Sequence, residues 1–310
     1  MKLIEVKEGQ PRSHPDPYIL KGNDGKYYVY TTGGKGVHGY VADTLTGDYK
    51  YLGLVLQIEN CYNFWAPCVI FTNGKYYMYT SCMNESYQPN GECMHVASSN
   101  TPYGPFTNAK KMLQPFSIDP HVVETDAGLY MFYSTNDYDY KRKGTYVVLD
   151  KMLDPETLAG NPIPVIRPSL DEEISRPNGA VGGGDWHTVE GAFYFREGDD
   201  HFVIYSGSAY TKESYFLGYV HANDSSGDLL KLDYKKYPDD DTYLPLLAKN
   251  DFEEGTGHNS IIKEDGEYYI VYHGRDYLDL KEEYERRTAR ICKMKVDGNK
   301  LTAIRYKDKL

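Results

Sequence analysis

The chain has 310 residues, 40% hydrophobic and 25% charged, enough to bury a large core. Its net charge of −11 argues against a nucleic-acid partner, which needs a basic surface, and suits a neutral substrate. No run approaches the roughly 18 apolar residues of a membrane span, so no membrane partner is expected. With 32 tyrosines beside 29 glycines and 16 prolines, the composition points to an all-β chain with many turns. Cys61, Cys68, Cys82, Cys93 and Cys292 are odd in number and form no CxxC pair. Together with the short, charged first eight residues, they predict reduced thiols and a cytoplasmic protein, unless a secretion signal has been trimmed away.

In chain order, the first predicted unit is a short apolar strand at Tyr18-Ile19-Leu20, a turn at Asn23-Asp24-Gly25, and a second strand at Tyr27-Tyr28-Val29-Tyr30. The unit returns as Val69-Ile70-Phe71, Asn73-Gly74 and Tyr76-Tyr77-Met78-Tyr79, then as Val122-Val123, Asp126-Ala127-Gly128 and Tyr130-Met131-Phe132-Tyr133. A fourth copy runs through Phe193-Tyr194-Phe195 to Phe202-Val203-Ile204-Tyr205, and a fifth through Ile261-Ile262 to Tyr268-Tyr269-Ile270-Val271-Tyr272. Aromatic and β-branched runs on either side of Asn/Asp-Gly turns read as hairpins. The terminal tyrosines, Tyr30, Tyr79, Tyr133, Tyr205 and Tyr272, are 49, 54, 72 and 67 residues apart. That spacing is long for two strands and right for four strands with loops. The prediction is a five-bladed β-propeller of four-stranded antiparallel blades around a central channel; a β-sandwich would need no such period. The charged stretch from Asp279 to Arg290 is read as a solvated connection able to form a helical turn. No low-complexity linker divides the chain, so residues 1–310 are expected to form a single domain.

Counting back from each terminal tyrosine reaches Asp16, Trp65, Asp119 and His258 at 14 residues and Glu190 at 15. Each precedes a first strand. In a propeller these innermost strands line the channel, so the five side chains are expected to converge on one mouth of it. Polar residues before strands also cap turns, and Asp-Pro is a common turn opener. Three acids at one register favour a site. Glycoside hydrolysis needs one carboxylic acid and one carboxylate, and a third carboxylate can raise the acid's pKa by repulsion. A trio of acids can equally hold a metal, although metal hydrolases usually bring more than one histidine.

These segments resemble glycoside hydrolase family 43, five-bladed propellers that cleave arabinose- or xylose-containing glycans with inversion. The resemblance is carried by HPDPY at 14–18, FWAPCVI at 64–70, SIDPHVV at 117–123, VEGAFYF at 189–195, GTGHNSI at 255–261 and YHGR at 272–275. It implies Asp16 as general base, Glu190 as general acid, and Asp119 as the carboxylate that tunes and orients the acid. It further implies a calcium or sodium ion in the channel near His258, with no cofactor required for the chemistry, and a sugar contact from Arg275. Trp65 is expected to wall the terminal-sugar subsite, and His14, Phe64, Trp186 and His187 to line the pocket. An inverting geometry would set Asp16 and Glu190 roughly 6.5–9.5 Å apart. Ala192 stands where many members have proline, a departure that leaves the chemistry intact. The lack of a β-sandwich after the propeller and the tail Arg287-Thr288-Ala289-Arg290-Ile291 lean towards an exo-acting α-L-arabinofuranosidase on arabinan- or arabinoxylan-derived oligosaccharides. The irregular inserts at 84–92, 136–144 and 171–187 are expected to close one side of the mouth and favour exo action. A β-xylosidase or bifunctional enzyme, an endo-arabinanase and a non-catalytic glycan-binding propeller are the alternatives.

Overall fold

The hairpins close where the turn residues take left-handed backbone. Asn73 and Gly74 have φ of 51° and 76°, and Asp265 and Gly266 have 50° and 81°, the signature of tight primed turns that match strand twist. Thr72 pairs with Lys75 and Glu264 with Glu267 across them. The structure, a computed structural model, describes residues 1–84, 90–277 and 286–305. Most of the charged Asp279–Arg290 connection, and the middle of the 84–92 insert, lie outside the described residues. Among those described, the helices are two short 3-10 turns, Asp171–Glu173 and Leu229–Lys231.

Each repeat builds an antiparallel sheet whose innermost strand comes first in sequence. The first sheet runs Tyr18–Lys21, Tyr27–Thr31, Val37–Ala42 and Lys50–Leu56. The second runs Cys61–Thr72, Lys75–Asn84, Cys93–Ser99 and Thr107–Lys111. The last runs Glu253–Glu264, Glu267–Asp276, Thr288–Asp297 and Lys300–Ile304. The third blade (Ile118–Thr125, Gly128–Asp137, Gly144–Asp154 and Ile163–Ile166) and the fourth (Trp186–Glu197, Asp200–Gly207, Phe216–Asn223 and Lys235–Lys236) are stitched together by a parallel contact. That contact pairs Gly144 with His187 and Thr145 with Thr188.

The core lies between blades. Five clusters of buried apolar side chains each join neighbouring blades, and the series closes on itself. Tyr28, Tyr30 and Val55 of the first blade meet Phe64, Val69 and Met78 of the second. Cys68 and Tyr79 meet Val122 and Met131 of the third, and Phe132 and Val147 meet Val189 and Val203 of the fourth. Phe195 and Phe202 meet Ile261 and Ile270 of the fifth, and Val271 and Ile291 return to Ile19 and Val29 of the first. With both faces covered, the second strands are buried throughout their middles, as Tyr27–Thr31 shows at every position. The repeat tyrosines also explain themselves. Their rings fill these seams, and their hydroxyls reach out: Tyr30 to the Pro102 carbonyl (2.5 Å), Tyr79 to the Pro155 carbonyl (2.7 Å) and Tyr205 to Glu173 (3.1 Å). Phenylalanine would remove these hydrogen bonds from buried acceptors.

The ring is tied at its seam by the N-terminal residues. Lys2 bridges Arg290, the Leu3 N–H donates to the Ala289 carbonyl (2.8 Å), and the Ile291 N–H donates to the Met1 carbonyl (2.9 Å). Leu3 and Ile4 are buried in the cluster between the fifth and first blades.

Candidate active site

On or just before every innermost strand, at equivalent positions, one residue has a left-handed backbone: Asp16 (φ 54°), Ala66 (43°), Asp119 (55°), Gly191 (63°) and His258 (48°). Pro17, Pro67, Pro120, Ala192 and Asn259 follow them. In the last four blades the ladder shifts register around this point, so a bulge turns the strand as it enters the channel. Left-handed backbone costs a residue with a side chain about 1 kcal/mol or more, and its fivefold recurrence marks the hub.

This corrects the register read from the tyrosine spacing. Trp65 and Glu190 stand one residue ahead of the positions equivalent to Asp16, Asp119 and His258. Tyr79 stands opposite Cys68, where the third, fourth and fifth blades have Phe132, Ile204 and Val271, so it comes one place earlier than Tyr133, Tyr205 and Tyr272, which hid the shift at Trp65. In the fourth blade, a Cβ on Gly191 would come within 3.1 Å of His258 Nδ1, so that position takes glycine and the carboxylate is carried by its neighbour.

Asp16, Asp119 and Glu190 nevertheless line one pocket, with Trp65 and His258 also in its wall. The pocket opens at the face where the innermost strands begin and the second strands end. The second-to-third-strand connections therefore supply the rest of the lining: Thr32 from the first blade, Tyr210 and Tyr215 from the fourth, and Arg287 from the fifth. Ile118 completes it. None of Thr32, Ile118, Tyr210, Tyr215 and Arg287 was singled out from the sequence: Ile118 stands beside Asp119 in SIDPHVV as an ordinary apolar strand residue, and the other four lie outside the repeating strand pattern. In the 136–144 and 171–187 inserts, Arg142 pairs with Asp171 at 2.7 Å and Lys143 donates to the Val181 carbonyl at 3.1 Å, so the two hold each other at the same face.

Other predicted lining residues lie elsewhere. Phe64 is fully buried in the seam between the first two blades, where an aromatic ring fills space better than it could contact sugar. His14 is buried edge-on against Tyr40 at 5.4 Å, and burial lowers its pKa to about 4. Trp186 packs against Tyr138 and beneath the Arg176 guanidinium, each 5.3 Å away, and His187 meets Arg142 at 3.0 Å. Arg275 is buried away from the pocket, paired with Glu254 at 3.4 Å and donating to the carbonyls of Tyr210 (2.7 Å) and Lys212 (3.1 Å). It thus holds the loop that presents Tyr210 and Tyr215. The YHGR segment reaches the site through His273 instead.

The three carboxyls differ in charge because their surroundings differ. Thr32 Oγ1 donates to Asp16 Oδ2 at 2.5 Å and accepts the Ala66 N–H at 2.8 Å, linking two blades at the hub. The Asp16 N–H donates to His273 Nδ1 at 3.1 Å. Around Asp16 Oδ1 stand His273 Nδ1 (3.2 Å), Arg287 Nη1 (3.3 Å) and His258 Nδ1 (3.5 Å). Burial alone would raise this carboxyl, but His258, Arg287 and His273 outweigh it and hold Asp16 well below the usual carboxylate range. Burial in turn pushes His258 down and His273 to about 3, leaving both neutral, so Arg287 is the lasting cation.

Glu190 is pushed up to about 7, first by burial and then by the Asp16 charge, against the Tyr215 hydroxyl that donates to its Oε1 at 2.8 Å. The Tyr215 ring lies parallel to His273 at 5.7 Å, and Gly257 makes room for it: a Cβ there would sit 2.1 Å from Tyr215 Cε1. Asp119 accepts the Gly191 N–H at 3.1 Å and is itself raised well above its ordinary value, by burial and then by Glu190 and Asp16. Asp119 and Glu190 thus repel each other, the Asp16 charge raises both, and Asp16 stays ionised.

A metal near His258 would find one neutral imidazole, the Asp16 carboxylate and the axial cavity below. That cavity is lined by Asn259 and His121, whose buried amide atoms and Nδ1 have no hydrogen-bond partner in the structure. This donor set fits a cation that keeps most of its waters.

The sequence model for the family described as glycosyl hydrolases family 43 matches residues 10–300. An extracellular exo-α-(1→5)-L-arabinofuranosidase of Streptomyces avermitilis is 26% identical over 288 residues, covering 86% of this chain, which spans 55% of that relative's length. A probable arabinan endo-1,5-α-L-arabinosidase C of Aspergillus niger is 24% identical over 295 residues, covering 84% of this chain and 82% of its own. The crystal structure of a thermostable family-43 glycoside hydrolase superposes with a TM-score of 0.78 at 26% identity, covering 96% of this chain and 95% of its own. The extracellular relative overturns the cytoplasmic location expected from the cysteines. All five are free thiols and four are buried, and a buried thiol without a partner stays reduced on either side of a membrane. The five-bladed ring, the trio of acids at its mouth and the match along nearly the whole chain place it in glycosyl hydrolase family 43: it is a glycoside hydrolase.

Proposed function

We propose that the chain is an inverting, exo-acting α-L-arabinofuranosidase on arabinan- or arabinoxylan-derived oligosaccharides, with its five blades working as one catalytic domain. The observation that carries the reading is the division of charge in one pocket: Asp16 ionised beside Arg287, Glu190 still protonated near pH 7. Asp16 takes a proton from a water that attacks the anomeric carbon. Glu190 gives its proton to the departing glycosidic oxygen as that bond breaks, and configuration inverts. Asp119 holds the Gly191 N–H and so the backbone next to Glu190. Trp65 offers an aromatic wall to the sugar. A cation bound by His258 would add positive charge near Asp16 without entering the proton transfers.

The exo reading is supported by the Streptomyces relative's description and by the joined walls at the third and fourth blades. The endo-arabinanase reading draws on the Aspergillus niger relative. Release of p-nitrophenol from the α-L-arabinofuranoside, compared with the β-D-xyloside and with chain scission of linear arabinan, separates exo-arabinosidase, xylosidase and endo-arabinanase. Proton NMR of the first-formed product checks inversion; a retained anomer would rule out the mechanism.

A further inference from the structure

The second blade carries a cluster that glycoside hydrolysis does not use. On the ladder Cys82 pairs with Cys93 and Thr80 with His95, while Cys61 pairs with Asn84. Because alternate strand residues share a face, Cys61, Cys82, Cys93 and His95 stand on one side of three adjacent strands. The ligand atoms of Cys61, Cys82 and His95 all lie within 4.8 Å of one another. Among the described residues no other group of three His, Cys, Asp or Glu side chains does so.

We infer that Cys61, Cys82 and His95 form a site for a thiophilic divalent cation of the zinc class, binding across the three inner strands of the second blade. Two sulfurs and one imidazole are a borderline-soft donor set suited to tetrahedral zinc. His95 Nδ1 is 3.3 Å from Cys82 Sγ, close to the roughly 3.5 Å between a nitrogen and a sulfur ligand on one tetrahedral ion. The same nitrogen lies 2.9 Å from the Cys93 carbonyl, so ligation through it gives up that hydrogen bond and its proton. Cys82 and His95 are buried, whereas Cys61 is half-buried, which leaves a path inward. Asn84 Oδ1 already accepts from the Cys61 thiol at 2.6 Å, an outer contact that orients the ligand. The fourth position is left to water or to a rotation of Cys93, whose thiol now turns to the Gly91 carbonyl at 3.4 Å. The site stands apart from the carboxylates, four residues before Trp65 on the same strand.

Cobalt(II) titration of the full chain, reduced with a phosphine and freed of metal, tests this. We expect one equivalent to bind with near-ultraviolet thiolate-to-cobalt absorption, and zinc to displace it. Cys61→Ser, at a half-buried position that tolerates the change, should abolish the band, as should Cys82→Ser, while Cys292→Ser should keep it. Zinc should raise the Tm of the parent chain but not of Cys61→Ser. Absence of the thiolate band in the reduced parent, or its survival in Cys61→Ser and Cys82→Ser, would overturn the site.

Discussion

The proton carried by Glu190 is set by a few neighbours, and single substitutions report on it. Asp16→Asn and Glu190→Gln should each lower kcat by about 10²–10⁴ while circular dichroism stays unchanged. Glu190 is raised to about 7, so acid catalysis should hold below that value and fall as pH rises through it. Tyr215 donates to the ionised form of Glu190, and Tyr215→Phe removes that support; the alkaline limb of kcat/KM should then move to higher pH. A limb that stays in place would show that Tyr215 only packs. The same shift has a stability sign. A carboxyl whose folded pKa exceeds its unfolded value stabilises the fold below the unfolded pKa, near 4.5, and loses that contribution as pH rises through about 7. Glu190→Gln should therefore have a higher Tm than the parent at pH 8, and the difference should shrink towards pH 4.

At the scale of elements, the site depends on loops that the repeats do not contain. Arg275 holds the 207–216 connection through three backbone carbonyls and is paired with buried Glu254. Removing the guanidinium leaves that carboxylate without this partner, and Arg275→Met should cost about 3 kcal/mol in urea unfolding. It should also raise KM and lower kcat, since Tyr210 and Tyr215 lose their anchor. A change in stability without a change in kinetics would refute its role in holding the loop. YHGR was legible as a site segment, but His273 and Arg275 share one face of their strand, and what separates them is distance along it. His273 stands opposite Gly257, next to His258 and beside Asp16, whereas Arg275 stands opposite Glu254, farther from the hub, and pairs with it.

On the scale of the whole molecule, a ring is only as strong as its weakest seam. The fifth and first blades are joined by a shared cluster and by the segment Met1–Ile4. Deleting residues 1–4 removes two buried side chains, Leu3 and Ile4, whose burial is worth about 1.5–3 kcal/mol each. The truncated chain should lose about 3–5 kcal/mol in denaturant unfolding, shared between that burial and the lost backbone pairing. Because all five spokes converge on one pocket, it should also lose activity at temperatures where the parent is still active. Equal midpoints for the two chains would show that the seam closes without the segment.

Five hairpins, the blade count and three acids at one end of the channel were legible in the chain, because turn chemistry and aromatic alternation are local and repeat. So was the place of Trp65 and His258 at the pocket. Which side chain faces which came from packing between distant segments. Left-handed residues at the hub moved Trp65 and Glu190 one place off the common register. Seam packing took Phe64 and His14 out of the pocket, and Tyr138 and Arg176 drew Trp186 away from it. Arg287, next to a connection with no repeat of its own, became the cation beside Asp16. The charge on each carboxyl was likewise beyond the sequence: burial and neighbours within about 3.5 Å set it, and those come from blades far apart in the chain.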